Sequence, residues 1–418
     1  MLVARAVLVA LATSVTTLIA FLTPWDPLPG AAIEPASATT YFTARQIARS
    51  DAFFDAVKWP SWLGLAVSVA VPVALGLTPA GRGLVRLTRR WCGPWWLQVI
   101  VMAAAVVLLQ RLATSAFGVW QQRVALSYGL SHQPWGDYTL DVMKSTAITL
   151  VLTSLGVLGV VALARRFPRT WFAPAAVSAG ALVLMLSFAY PIVLEPVFNR
   201  FSPLADGPLR SRLLSMAERD DITVTDVLVA DASRRTTTLN AYVSGFGPSK
   251  RIVLYDTLLN SAASDDEIEL VAAHELGHAA RDDVLVGTVE GSLTAALGVV
   301  AGFLLLRRPR IRRATGAGSA GDPAIVPVLL GLVTLAAFAA TPVQNAVSRA
   351  VEARADAHAL DLTGDARTFI SVQQRLAASN LTHLQPNPVL AFWFSSHPSP
   401  LERIGMAEQW RHLHEPRQ

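Results

Sequence analysis

The residues of this chain best suited to chemistry are His274-Glu275-Leu276-Gly277-His278. Two histidines four apart on a helix share a face, so both imidazoles can reach one cation. The glutamate between them stands beside that face, placed to take a proton from a water that the cation polarises. A chance match and a pair of core histidines are the plain alternatives. The local context argues against both. Ser264-Asp265-Asp266-Glu267 fits a capping box, with serine at the cap and glutamate three residues on. Ile268, Val271, His274 and His278 then fall near one face of a helix predicted to run to about Ala280.

A catalytic zinc site needs three protein ligands and one open position. The third ligand is expected to be Glu352, in the helix-forming segment Ser348-Arg349-Ala350-Val351-Glu352-Ala353-Arg354-Ala355-Asp356. Taken alone, that segment also reads as a solvated helix whose acids pair with Arg349 and Arg354. Asp356, one turn further on, is placed to hydrogen-bond the outer nitrogen of a ligand histidine. With Cys92 as its single cysteine, the chain has neither an intrachain disulfide nor a thiolate metal cluster.

The elements that must position these residues lie in a membrane. The 418 residues are 52% hydrophobic and only 16% charged, whereas soluble domains carry nearer a quarter charged. Seven apolar runs account for the deficit: Val3–Leu22, Leu63–Leu77, Leu97–Ala113, Thr146–Ala164, Phe172–Ile192, Val284–Leu306 and Ile325–Ala340. Most approach the length of a helical span. Trp25, Trp59, Trp62, Trp95, Trp96, Trp120 and Trp171 cluster near their ends, where amphipathic rings anchor in headgroups. The first run could instead be a signal peptide, with Arg5 before it and Ala36-Ser37-Ala38 as a cleavage site, but it is long for that role. The net charge of +5 comes from arginines in short loops beside the runs; it sets orientation and does not imply nucleic acid.

The expected fold is therefore mainly α, a multi-pass helical membrane protein with an inserted small α+β metalloprotease domain. Residues 1–192 hold about five spans with short connections, 193–283 the first part of the metal domain, 284–340 two further spans, and 341–418 the second part. Within 193–283, Pro208–Arg219 has helical periodicity, and Val224–Val229, Asn240–Val243 and Ile252–Tyr255 read as strands. The last two form a hairpin joined through Gly245-Phe246-Gly247-Pro248. Two crossings separate the histidine helix from Glu352, so both stand on one side, close to the membrane surface.

These motifs together resemble the type I CAAX prenyl protease family of membrane zinc metallopeptidases, gluzincin-type enzymes with H-E-x-x-H plus a distal glutamate. The resemblance covers most of the chain and is strongest from Tyr190 onward. It rests on Glu195-Pro196-Val197-Phe198-Asn199-Arg200-Phe201, on Asn240-Ala241-Tyr242, on Lys250 to Leu258, on the two metal motifs, and on Ser396-His397-Pro398-Ser399-Pro400-Leu401-Glu402-Arg403-Ile404. It implies one zinc ion per chain, held by His274, His278 and Glu352, with Glu275 as general base. It implies that Asn240, Ala241 and Tyr242 pair as an edge strand with substrate backbone. It further implies that His397 and Arg403 polarise the scissile carbonyl or stabilise the oxyanion, and that the spans enclose a water-filled chamber whose wall Glu290 would suit. One departure is Ala279, where eukaryotic members tend to carry a large aromatic residue.

The expected activity is zinc-dependent endoproteolysis of membrane-associated, prenylated or otherwise lipid-modified, proteins or peptides. A quality-control protease of membrane proteins and a non-catalytic zinc-containing scaffold or transporter are the alternatives. Three lysines against 32 arginines hint at a GC-rich bacterial genome, hence a bacterial cell membrane. The arginine-rich connections at 82–90, 165–169 and 307–313 lie on one side of a seven-span chain, and the positive-inside rule makes that side cytoplasmic. The metal domain then faces outward; by family analogy it would face the cytosol.

Overall fold

The computed structural model describes residues 1–245, 247, 250–261 and 263–414. Among the described residues, seven helices are long and apolar enough to cross a bilayer, one for each apolar run. They are α1 (Leu2–Leu22), α2 (Ala44–Leu77), α4 (Trp95–Tyr128), α5 (Trp135–Arg166), α6 (Phe172–Ala189), α9 (Asp283–Leu306) and α10 (Val326–Thr363). The amphipathic α3 (Gly81–Trp91) links α2 to α4.

The helices outrun the hydropathy. The second run begins at Leu63, yet α2 begins at Ala44; the third ends at Ala113, yet α4 continues to Tyr128. Apolar runs mark only lipid contact, and these extensions pack against protein. Arg49 donates to the Tyr128 carbonyl at 3.0 Å, and Ser50 to the Thr382 carbonyl at 2.6 Å. The Phe54 ring stacks on His383 with centroids 4.1 Å apart. The expected short connections in the first half are thus partly helix.

The middle stretch folds as a four-stranded sheet in the order β1-β2-β4-β3. Its strands are β1 (Phe201–Pro203), β2 (Val227–Ala230), β3 (Ala241–Ser244) and β4 (Arg251–Tyr255), and α7 (Pro208–Arg219) lies between the first two. β3 and β4 pair antiparallel, as the hairpin reading requires, while β2 and β4 pair parallel. Of the loop joining the hairpin, Phe246 and Pro248 lie outside the described residues. β1 has only three residues and a proline at its end, too little for a sequence signal. Leu213 and Met216 of α7, Ile252 and Leu254 of β4, and Ala273 and Leu276 of the histidine helix close a core beneath the sheet.

The histidine helix, α8, spans Asp265–Ala280. After α10 come α11 (Ala366–Asn380), α12 (Pro388–Phe394) and α13 (Pro400–His414). α13 is bound to the connection that follows α1: the Ala36 N–H donates to the Leu401 carbonyl at 2.9 Å.

Candidate metal centre

The capping box forms as its residues dictate. Ser264 Oγ accepts from the Glu267 N–H at 3.2 Å, and the Glu267 carboxylate accepts from the Ser264 N–H at 3.1 Å. The same carboxylate meets Ser371 at 2.7 Å and Arg375 at 2.9 Å. Burial pushes the Glu267 carboxyl up, but these partners outweigh it and hold it below the usual carboxylate range. The start of α8 is thereby fixed to α11. Along its length α8 packs on α10, and Gly277 sets their spacing. A Cβ at Gly277 would stand 3.1 Å from His358 Cβ and 3.2 Å from Ala355 Cα, so only glycine allows this approach without displacement.

The approach brings Glu352 to the histidines. His274 Nε2 lies 3.3 Å from His278 Nε2 and 3.3 Å from a Glu352 carboxylate oxygen; His278 Nε2 lies 3.7 Å from the other oxygen. Donors each about 2 Å from one ion at tetrahedral angles stand roughly 3.3 Å apart, so two imidazoles and a carboxylate at this spacing fit a zinc-sized cation. The electrostatics agree. Burial opposes charge on His274, yet Asp356 and Glu352 outweigh it and lift the imidazole to about 10: the pocket favours positive charge.

Each of the two histidines has a carboxylate behind it. His274 Nδ1 lies 2.9 Å from Asp356, as the sequence led one to expect, and His278 Nδ1 lies 2.9 Å from Asp283. Asp283 went unrecognised in the sequence. It follows the end of α8, and the left-handed backbone of Asp282 (φ 50°) turns the chain so that the first residue of α9 comes back to His278. Arg354 of α10 binds the same carboxylate. Asp356 is fully buried and gripped by Arg403, whose Nε donates at 2.8 Å and Nη2 at 2.5 Å. Arg403 is thus committed to Asp356 through one edge of its guanidinium while still lining the cavity at the histidines.

His397 reaches the metal centre directly, its Nε2 3.3 Å from Glu352, and remains largely exposed. Burial pushes the Glu275 carboxyl above its usual range, against the opposing pull of His274 and His278, and the carboxylate accepts a backbone hydrogen bond from Val243 of β3. That bond leaves from the free edge of the sheet. The Asn240 carbonyl accepts from the Tyr255 N–H, and antiparallel alternation then turns Asn240 and Tyr242 toward β4, and Ala241 and Val243 outward. Of Asn240, Ala241 and Tyr242, it is Ala241 that offers open backbone groups. The Tyr242 side chain instead joins Ser244 and Arg251 around the buried carboxylate of Glu195, just beyond a π-helical turn that ends the fifth span. Glu290 stands two turns into α9 and does not line either cavity beside Glu275.

Sequence profiles of two families match this chain in tandem. Peptidase family M48 matches residues 203–411, and the CAAX prenyl protease N-terminal family, described as five membrane helices, matches residues 30–200. The chain belongs to peptidase family M48. A Bacillus subtilis (strain 168) relative named Uncharacterized metalloprotease YhfN is 33% identical over 320 residues, covering 75% of this chain and 74% of its own. The Arabidopsis thaliana CAAX prenyl protease 1 homolog is 29% identical over 365 residues, covering 84% and 79%. The crystal structure of S. mikatae Ste24p superposes with a TM-score of 0.79 at 20% identity, covering 97% of this chain and 98% of that one; the fold is therefore shared throughout. The M48 match encloses His274, Glu275, His278 and Glu352, and the protein is a multi-pass membrane metalloendopeptidase.

Proposed function

We propose that this M48 peptidase holds one zinc ion on His274, His278 and Glu352 and hydrolyses peptide bonds of membrane-associated, prenylated or otherwise lipid-modified, proteins. The observation that carries the reading is the convergence of the three donors, with Glu275 beside them and the free edge of β3 alongside. When bound, the ion supplies a Lewis acid that activates water and polarises the scissile carbonyl. Glu275 accepts the water's proton and passes it to the leaving amine; burial, which raises its carboxyl above the usual carboxylate range, favours holding that proton between the two transfers. The Val243 N–H orients that carboxylate. His397 is placed to donate to charge that develops on the substrate carbonyl oxygen. Arg403 acts through Asp356, which fixes the ring of His274. Ala241 offers backbone to an extended substrate.

The substrate class rests on two supports. His274, His278 and Glu352 stand within a few helical turns of the apolar stretches of α9 and α10, hence near the membrane face in this reading. Several relatives carry the name CAAX prenyl protease. The bilayer is in this reading a partner that delivers the anchored chain. We place the protein in a bacterial cell membrane with the zinc domain outside, because the arginine-rich connections gather at the opposite end of the bundle.

In Glu275→Gln, the side-chain shape stays and the base is lost. Membranes carrying this variant are expected to show no cleavage of a farnesylated test peptide while retaining one equivalent of zinc by elemental analysis. Residual proteolysis at more than about one hundredth of the wild-type rate would refute the role given to Glu275, since general-base contributions are about 10²–10⁴-fold.

A further inference from the structure

The end of the bundle away from the metal centre carries charge that the protein itself does not neutralise. The connections after the second, fourth and sixth spans hold twelve arginines and one acid, Asp322. Four of these arginines are bonded inward. Arg82 and Arg165 donate to backbone carbonyls of the 313–321 stretch, Arg312 to the Gly318 carbonyl, and Arg89 pairs with Asp322. Asp322 also accepts from the N–H groups of Gly318 and Ala324, so its oxygens are taken. The other eight arginines are exposed. Among the described residues, none of the eight has a carboxylate or a hydrogen-bond acceptor for its guanidinium.

The faces of α3 show what this surface meets. Gly81 lets α3 fold back tightly on the end of α2, because a Cβ there would collide with the Leu75 carbonyl oxygen. Around the helix, residues one turn apart share a strip. Val85 and Thr88, each 3% exposed, turn to the protein. Leu87 and Trp91 are 58% and 74% exposed, an apolar strip with no protein over it. Arg86 and Arg90 form the strip between this apolar pair and the inward-bonded Arg82 and Arg89. A short helix with an uncovered apolar strip and arginines beside it lies in the plane of a bilayer surface, its apolar side chains among acyl chains and its charges among headgroups. The second span ends at Leu77, so α3 starts where that surface must be.

Three of the unpaired guanidinium groups are braced on aromatic rings. Arg90 lies over Trp91 at 5.7 Å from the ring centroid, Arg166 over Phe167 at 5.0 Å and Arg307 over Phe303 at 5.7 Å. Arg166 is the last residue of α5, and Arg307 directly follows α9. A ring against the guanidinium face leaves the N–H edge free, and that edge fits a phosphate through two parallel hydrogen bonds.

We propose that this end of the bundle binds the headgroup phosphates of anionic phospholipids, with α3 lying in the headgroup plane and Arg86, Arg90, Arg166 and Arg307 as the principal contacts. A soluble anion would meet the guanidinium groups but leave Leu87 and Trp91 in water; a phospholipid covers both. The four arginines come from three connections, so bound lipid offsets the repulsion among them. The proposal is independent of the peptidase reading.

The test reconstitutes the full-length protein in vesicles of equal parts phosphatidylglycerol and phosphatidylcholine, extracts it in mild detergent and counts the lipid that copurifies by mass spectrometry. An arginine at an anionic surface contributes about a fivefold factor. Wild type is therefore expected to retain phosphatidylglycerol over phosphatidylcholine by at least about fivefold. Arg86→Gln, Arg90→Gln, Arg166→Gln and Arg307→Gln combined are expected to bring the ratio near one, while lysine at the same four positions keeps a preference. Equal retention of the two lipids by wild type would overturn the proposal, as would an undiminished preference in the glutamine variant. Release of phosphatidylglycerol by excess inorganic phosphate, but not by chloride of equal ionic strength, would reassign the surface to a free anion. A second measurement leaves the arginines intact. A nitroxide on Leu87→Cys, in a Cys92→Ser background, is expected to be more accessible to oxygen than to a water-soluble nickel chelate. The opposite order would put α3 in water and remove the lipid contact.

Discussion

At the scale of single residues, the candidate metal centre combines three donors with the carboxylates that stand behind the two histidines. Asp356 and Asp283 each stand 2.9 Å from Nδ1 of one of the two histidines. Such partners fix the tautomer and raise ligand basicity, and losing one typically costs 10–100-fold in metal affinity. Asp283→Asn is therefore expected to weaken zinc binding about 10–100-fold in a chelator competition, with the helical circular dichroism unchanged; unaltered affinity would remove Asp283 from the site. The two partners differ in how far the sequence reveals them. Asp356 follows Glu352 by one helical turn, so helix periodicity alone put it near the metal. Asp283 depends on a left-handed residue, Asp282, at the break between two helices, and no periodicity crosses such a break. Val243 was hidden for a related reason: which backbone groups of a strand face outward is decided by its partner, and Ile252 of β4, the residue paired with Val243, is nine residues away in sequence.

At the scale of elements, the site is a contact between two helices whose ends lie on either side of a membrane excursion. α8 supplies two donors and α10 the third, so the distance between their axes governs the geometry at the ion. Gly277 sits at the closest approach, between the two ligand histidines. An alanine there must push His358 or the α10 backbone away by a few tenths of an ångström. Metal sites tolerate little such looseness, since ligands must be held within about 0.5 Å of productive geometry. Gly277→Ala is expected to fold and insert normally yet bind zinc at least tenfold more weakly, because the added methyl moves Glu352 relative to His274 and His278 although all three donor residues are retained. Wild-type zinc affinity in this variant would show that α8 and α10 absorb the methyl elsewhere. The apolar runs revealed the number of spans, because lipid contact alone decides them. They did not reveal where α2 begins and α4 ends, because beyond the lipid those helices are stabilised by contacts with the segment after α11 and with each other.

At the scale of the whole molecule, the two ends of the bundle differ sharply in charge. The connections after the second, fourth and sixth spans carry twelve arginines against one acid, Asp322. They meet in the fold. Arg82 donates to the carbonyls of Ala314 and Arg313 at 3.0 and 2.9 Å, Arg89 pairs with Asp322 at 2.8 Å, and Arg165 donates to the Gly321 carbonyl at 3.1 Å. The connections after the first and third spans meet the zinc domain instead: Ala36 bonds to Leu401, and the Thr237 N–H donates to the Leu130 carbonyl at 3.2 Å. The alternation is consistent over all seven spans, so the location of one connection fixes the rest. Short arginine-rich loops are retained in the cytoplasm, and on that ground we propose that the zinc centre faces outward. A reporter inserted after Arg313 is accordingly expected to be fluorescent as a fluorescent-protein fusion that folds only inside, and inactive as an alkaline phosphatase fusion that folds only outside. The reverse pattern would turn the whole bundle over, place His274, His278 and Glu352 in the cytoplasm, and require that the anchored substrate reach them from the cytoplasmic leaflet.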